Sequence, residues 1–152
     1  MINLAVTFRK SGKFQEAEKL EQKVLKAKTE SFGSSHPETI QAMFNLAITF
    51  RQRGKFEEAQ TLGQEVLKFQ MDFLGSSHPD TIQAMSSLAA TLVKAGKFQE
   101  AENLQQQVLK VRTESFGSSH PDTLQAMLYL AVTLDKVGKL QEAENLSQEV
   151  LK

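Results

Sequence analysis

The chain of 152 residues has no cysteine, no net charge and no long run of apolar residues. Without cysteine there is no disulfide framework, no thiolate metal site and no cysteine nucleophile. The 18 basic and 18 acidic residues cancel, so nothing attracts the chain generally to nucleic acid or to an anionic membrane. No apolar run approaches the roughly 18 residues of a membrane span, and no signal sequence is recognisable. We therefore expect a cytoplasmic protein that binds neither nucleic acid nor membrane.

One phrase occurs three times: FGSSHPETIQAM at 32–43, LGSSHPDTIQAM at 74–85 and FGSSHPDTLQAM at 116–127. The interval is 42 residues throughout, and a fixed interval of this kind indicates a repeat architecture. We predict one repeat domain, 1–152, made of repeats 1–33, 34–75, 76–117 and 118–152. The first repeat lacks the start of its first helix and the last lacks the end of its second, which favours a segment of a longer array.

Each repeat is predicted to be a pair of antiparallel helices, A and B. In repeat 76–117, apolar residues recur at steps of three and four from Ile82 to Leu92, as on one face of a helix. Ser77 or His78 is the predicted N-cap, and Gly96 ends helix A. A second apolar stripe predicts helix B over 98–116. One such hairpin cannot bury both of its apolar faces, so successive hairpins must stack into an all-α solenoid.

The repeat resembles the tetratricopeptide repeat, whose usual period is roughly 34 residues. The resemblance rests on the register of Leu88, Ala89, Leu92, Gly96, Phe98, Ala101 and Leu109. The longer period, with LGSSHPDT and NLAITFRQRGKFEEAQTLGQEVLK, is similar to the variety found in kinesin light chains and in fungal NACHT or NB-ARC arrays. The resemblance covers the whole chain. It implies a right-handed superhelix whose concave groove, lined by the A helices, receives a peptide or a helix.

By the same resemblance, the candidate groove residues are Asn3, Arg9, Phe44, Asn45, Ile48, Arg51, Ser87, Lys94, Leu128, Tyr129 and Val132. Asn3 and Asn45 match the asparagine that hydrogen-bonds the ligand backbone in peptide-binding members, whereas Ser87 and Tyr129 depart from that pattern. Ile2 and Val6 stand where the carboxylate clamp of chaperone-binding members needs polar residues, which excludes that clamp.

Two features of the A helices leave alternatives open. Basic residues gather near their C-terminal ends, where they either attract an acidic partner or complement the helix dipole; they are Arg9, Lys10, Arg51, Arg53, Lys94 and Lys136. The apolar pairs Phe44–Ile48 and Leu128–Val132 either form pockets for an apolar anchor or pack between helices.

No catalytic, metal or cofactor site is predicted. His36, His78 and His120 stand too far apart for a shared metal, and helix capping explains them better. The acidic residues in QEAE and FEEA open the B helices, where negative charge is stabilising. We therefore predict a non-enzymatic module that binds an acidic or apolar protein segment. The alternative is a structural spacer or a self-associating repeat array with no dedicated ligand, the second joined end to end through uncapped terminal helices.

Overall fold

The computed structural model describes the backbone of residues 2–152 and the side chains from Leu4 onward. Over these residues the chain forms eight α-helices and no strand. The A helices are α1 (Ile2–Lys10), α3 (Pro37–Gln52), α5 (Pro79–Lys94) and α7 (Pro121–Lys136). The B helices are α2 (Phe14–Phe32), α4 (Phe56–Leu74), α6 (Phe98–Phe116) and α8 (Leu140–Leu151). The predicted all-α class and the alternation of A and B helices are confirmed.

The helices group into two compact units. Unit 1, Met1–Gly75, contains α1 to α4, and unit 2, Ser76–Lys152, contains α5 to α8. Within each unit every helix packs against the next one along the chain. In unit 1, α2 therefore lies against both A helices, α1 and α3, and in unit 2 α6 lies in the same way against α5 and α7.

A histidine starts each of the three complete A helices. The Nδ1 atoms of His36, His78 and His120 each accept the backbone N–H two residues later at 3.1 Å. The following proline occupies the first turn, where its missing N–H costs no hydrogen bond. The predicted capping role of these histidines is confirmed.

Glycine forms the turn from each A helix to its B helix. At Gly54 the backbone has φ +80°, a conformation that only glycine adopts readily. The N–H of Lys55 then reaches back to the carbonyl of Phe50 at 2.8 Å, and the N–H of Gly54 reaches Arg51 at 3.0 Å. This Schellman arrangement satisfies the last carbonyls of α3 and begins α4 within a few residues.

The two units bury equivalent cores. In unit 1 the core cluster is Leu46, Phe50 and Ala59 with partly buried Leu25 and Leu62. In unit 2 it is Leu130, Leu134 and Ala143 with partly buried Leu109 and Leu146. Each residue of the second set lies two 42-residue periods after its counterpart in the first. The recurring alanines of the A and B helices are buried as well, which allows the helices of a pair to approach closely.

Buried glutamates connect the consecutive hairpins within each unit. Glu18 on α2 is 3% exposed and pairs with Arg53 and with Lys55, whose Nζ lies 2.7 Å from Oε1. In unit 2, Glu102 on α6 is 1% exposed and lies 2.9 Å from Lys139 Nζ. The Glu102 carboxylate raises the pKa of Lys139. These carboxylates were predicted to stabilise the start of the B helices by their charge, and the structure in addition buries them as links to the next hairpin.

Candidate functional site

The A helices of unit 1 carry six of the predicted groove residues, and the five whose side chains the structure describes are half-buried: Arg9, Phe44, Asn45, Ile48 and Arg51. The side chain of Asn3 lies outside the described residues. Arg9 on α1 contacts Asn45 on α3 and Glu21 on α2. We refer to Arg9, Asn45 and Arg51, with Glu21 and Thr49 beside them, as the arginine cluster.

Arg9 is the connecting residue of the arginine cluster. Its Nη1 donates a hydrogen bond to the backbone oxygen of Asn45 at 3.0 Å, which ties α1 to α3. The same nitrogen lies 3.6 Å from Glu21 Oε2 on α2. The hydroxyl of Thr49 on α3 donates to Glu21 Oε1. A single carboxylate on α2 therefore interacts with both A helices of unit 1.

The arginine cluster has an excess of positive charge. Burial lowers the pKa of Arg51, and the charge of Arg9 lowers it further. Burial also raises the pKa of Glu21, although the Thr49 hydrogen bond and the Arg9 charge offset part of that rise. The Arg9 guanidinium thus lies beside a carboxylate whose ionisation burial opposes, and its charge also acts on Arg51. A negatively charged group of another molecule would complement this arrangement.

Asn45 presents an amide beside these charges. Its Oδ1 accepts a hydrogen bond from Gln41 Nε2 at 3.3 Å, one helical turn earlier on α3. The amide nitrogen carries two N–H donors that this bond does not use. Such donors can bind a backbone carbonyl, which is the role that the asparagine was predicted to have.

The corresponding surface in unit 2 is apolar. Leu128, Tyr129 and Val132 on α7 are 46%, 55% and 55% exposed, and their spacing places them on one side of the helix. We refer to these three residues as the α7 patch. The Leu128–Val132 pair is exposed, whereas the corresponding Phe44 and Ile48 are half-buried in unit 1. Large apolar side chains grouped in this way are typical of a surface that binds another protein.

The remaining predicted residues of unit 2 lie on α5. Ser87 is half-buried, and its backbone oxygen accepts a hydrogen bond from the Thr91 hydroxyl at 3.2 Å. Lys94 is exposed in the last turn of α5, where its charge complements the helix dipole. Of the other basic residues, Arg53 pairs with Glu18 on α2.

Sequence reasoning did not find the buried glutamates. Glu18 and Glu102 lie two periods apart, and each pairs with a lysine 37 residues later, Lys55 and Lys139 respectively. The repeated glutamate–lysine spacing of 37 residues is the feature of the sequence from which these ion pairs could have been predicted. Glu21 gave no signal, because its counterparts in the other repeats are Gly63, Gln105 and Ser147.

Within the described part of the chain, no three histidine, cysteine or acidic side chains come together in a way that would hold a metal ion. None of the helices over those residues is long and apolar enough to cross a membrane.

Comparison with known proteins identifies relatives of these helical pairs. The family described as Tetratricopeptide repeat matches residues 1–72 and 80–152. No curated protein matches the chain. Among solved structures, a protein of Podosopora anserina assigned as a kinesin light chain, with nearly identical TPR-like repeats, is 30% identical and superposes with a TM-score of 0.92. That match covers 98% of this chain and 71% of the other.

Two more distant structures share the fold alone. BtubC (BKLC) from P. vanneervenii is 21% identical, with a TM-score of 0.88 over 97% of this chain and 59% of its own. MamA is 19% identical, with a TM-score of 0.65 over 97% of this chain and 72% of its own.

Proposed function

Since the chain belongs to the tetratricopeptide repeat family, with repeats like those of kinesin light chains, we propose that it is a non-enzymatic module that binds a segment of another protein against its A helices. The tetratricopeptide fold generally mediates contacts between proteins. The site on this chain, the chemistry of the bound segment and the absence of catalysis are parts of the proposal.

The α7 patch is the observation that carries the proposal. Leu128, Tyr129 and Val132 are each about half exposed, although the apolar residues on the opposite side of the same helix, such as Leu130 and Leu134, are buried. Covering the patch would remove apolar area from water, which favours association by about 25 cal/mol per Å². Tyrosine, at the centre of the patch, is one of the residues enriched in binding hot spots.

The arginine cluster indicates a second property of the bound protein, its charge and hydrogen bonding. A segment lying against α1 and α3 of unit 1 would meet Arg9, Asn45 and Arg51. The guanidinium groups favour an acidic side chain, and the amide of Asn45 favours a backbone carbonyl. We therefore propose an acidic side chain for a segment that binds the arginine cluster and a large apolar side chain for a segment that binds the α7 patch.

Unbiased selection from a peptide library tests this function. We would select against the wild-type chain and in parallel against two variants, Leu128→Ser/Val132→Ser and Asn45→Ala/Arg51→Glu, with the monomer mass of each verified. A motif that is enriched on the wild-type chain and lost on one of the two variants would support the proposal for the surface that this variant changes. The exposed pair Gln106→Ser/Gln107→Ser on α6 is the matched control and should leave the enrichment unchanged.

Two outcomes would contradict the proposal. Enrichment that survives both variants would place the binding surface elsewhere on the chain. Absence of enrichment, together with a mass that rises with concentration, would favour the self-associating spacer. The cytoplasmic location expected from the sequence stays a prediction.

A further inference from the structure

Two buried oxygen atoms at equivalent positions receive no hydrogen bond from the described residues. They are Oε2 of Glu21 on α2 and Oε1 of Gln105 on α6. Glu21 is 4% exposed and Gln105 is 9% exposed. The two residues lie two 42-residue periods apart, on the first B helix of each unit. The same place in both units thus holds a buried acceptor without a donor, which is uncommon in folded proteins.

In unit 1 the acceptor borders a small pocket. The pocket is lined by Glu21 and Val24 of α2 and by Ala42 and Asn45 of α3. Its volume of about 10 Å³ is close to what a single water-sized group requires. Asn45 also belongs to the arginine cluster, so the pocket lies beside the surface proposed to bind the partner.

The surrounding groups define which atom fits the pocket. Thr49 already donates to Oε1, so that oxygen of Glu21 is engaged. Arg9 Nη1 is 3.6 Å from Oε2, which is beyond hydrogen-bond distance, and it donates instead to Asn45. A carboxylate oxygen accepts hydrogen bonds and never donates them, so the pocket requires an N–H or an O–H. A cationic donor would face the guanidinium group of Arg9, which favours a neutral one.

We propose that this pocket is a subsite for one neutral hydrogen-bond donor, which water supplies in the free chain and a backbone N–H or a hydroxyl of the bound segment supplies in the complex. The second half of the proposal rests on the proposed function. In the complex, the donor would bond to Glu21 Oε2 while the amide of Asn45 binds a carbonyl of the same segment. The pair of contacts would fix the register of the segment on unit 1.

Crystals of the complete chain test the subsite without any peptide. They would be soaked separately in methanol, a neutral donor, and in acetonitrile, which is of similar size and only accepts. We expect an ordered oxygen within hydrogen-bond distance of Glu21 Oε2, occupied by water or methanol, and no acetonitrile at that place. An empty pocket, a pocket occupied by acetonitrile, or Arg9 bonded directly to Oε2 would overturn the proposal.

A pair of variants tests whether the ordered oxygen depends on the Glu21 carboxylate. Glu21→Met removes both oxygens at similar volume, and Gln22→Met changes the exposed neighbour on the same helix. The ordered oxygen should disappear in the first variant and persist in the second. Crystals of the wild-type chain test the subsite by themselves, so the proposal can still be refuted if Glu21→Met does not fold.

Backbone-ester analogues distinguish water from the partner as the donor in the complex. In a peptide from the library selection, each N–H is replaced in turn by an ester oxygen and each hydroxyl is removed. One replacement should weaken binding to the wild-type chain at least about tenfold and leave binding to Glu21→Met unchanged. If no replacement does so, the partner does not supply the donor, and that half of the proposal fails. If no peptide is selected at all, the proposed function fails while the crystals still decide the subsite.

Discussion

Lys55 and Glu18 meet between the two hairpins of unit 1, with Nζ of the lysine 2.7 Å from Oε1 of the glutamate. The lysine precedes α4 in the turn that follows α3, and the glutamate lies in the first turns of α2. Lys139 and Glu102 repeat the relationship in unit 2 at 2.9 Å. An ion pair between one B helix and the turn that begins the next is therefore a recurrent link between neighbouring hairpins.

Replacing Glu18 by glutamine should destabilise unit 1. The change leaves Arg53 and Lys55 without their carboxylate, and because both cations are partly exposed we expect a loss of about 1–3 kcal/mol. Urea denaturation would measure it. The control is Glu144→Gln, which changes the equivalent glutamate of α8, exposed in this structure, and should shift the midpoint little. Equal losses in the two variants would contradict a role for burial.

Introducing an arginine at Val137 should stabilise unit 2. Val137 holds the position that Arg53 holds in unit 1, two periods earlier, and Glu102 pairs with Lys139. A second cation beside that carboxylate should add about 0.5–1 kcal/mol. The measurement is a double-mutant cycle with Glu102→Gln, in which the gain should vanish. A gain that persists without the carboxylate would show that the arginine acts in another way.

The stability of the chain should include a component from Glu21 that falls as the pH rises. Burial raises the pKa of Glu21, so protonating this carboxylate is easier in the folded chain than in the unfolded one. Its stabilising contribution is complete below the ordinary pKa of a glutamate and is lost as the pH rises through the raised value. Relative to the wild-type chain, Glu21→Gln should therefore become progressively more stable from acid to neutral pH. Urea midpoints across that range measure this, with the exposed Glu30→Gln on the same helix as a control. Parallel profiles for Glu21→Gln and the wild-type chain would refute it.

The histidine caps should tolerate asparagine better than alanine. His120 Nδ1 accepts the N–H of Asp122 at 3.1 Å, and the ring stacks on Phe116 with centroids 4.5 Å apart. His120→Ala removes both interactions and should cost about 0.5–2 kcal/mol. His120→Asn keeps an acceptor at the N-cap and should recover part of that loss in thermal denaturation. Equal losses in both variants would assign the contribution to the ring stack.

The helices could be predicted from the sequence because their causes are local. The apolar spacing and the His-Pro and glycine signals fix α5 at Pro79–Lys94 and α6 at Phe98–Phe116, close to the predicted limits. The candidate site could be predicted only in part. The residues of the A helices were identified by register, but the engagement of Arg53 by Glu18 depends on a contact between residues far apart in the sequence.

The buried carboxylates could not be predicted from local pattern. Near the start of a B helix, an acidic residue that faces the next hairpin has the same local sequence as one that faces water. Glu18 and Glu144 occupy the same register position, yet the first is 3% exposed and the second is exposed. What distinguishes them is the packing of a further hairpin, which no window of one helix contains.

The equivalence of the two cores has a consequence for folding. Leu46, Phe50 and Ala59 occupy the same places in unit 1 as Leu130, Leu134 and Ala143 do in unit 2. A hairpin that forms early can therefore pack on two similar apolar surfaces of its own chain. One is its native neighbour, and the other is the equivalent surface two 42-residue periods away. On a neighbouring chain both are also available, so refolding at high protein concentration should generate exchanged dimers by domain swapping, while slow dilution should favour the monomer.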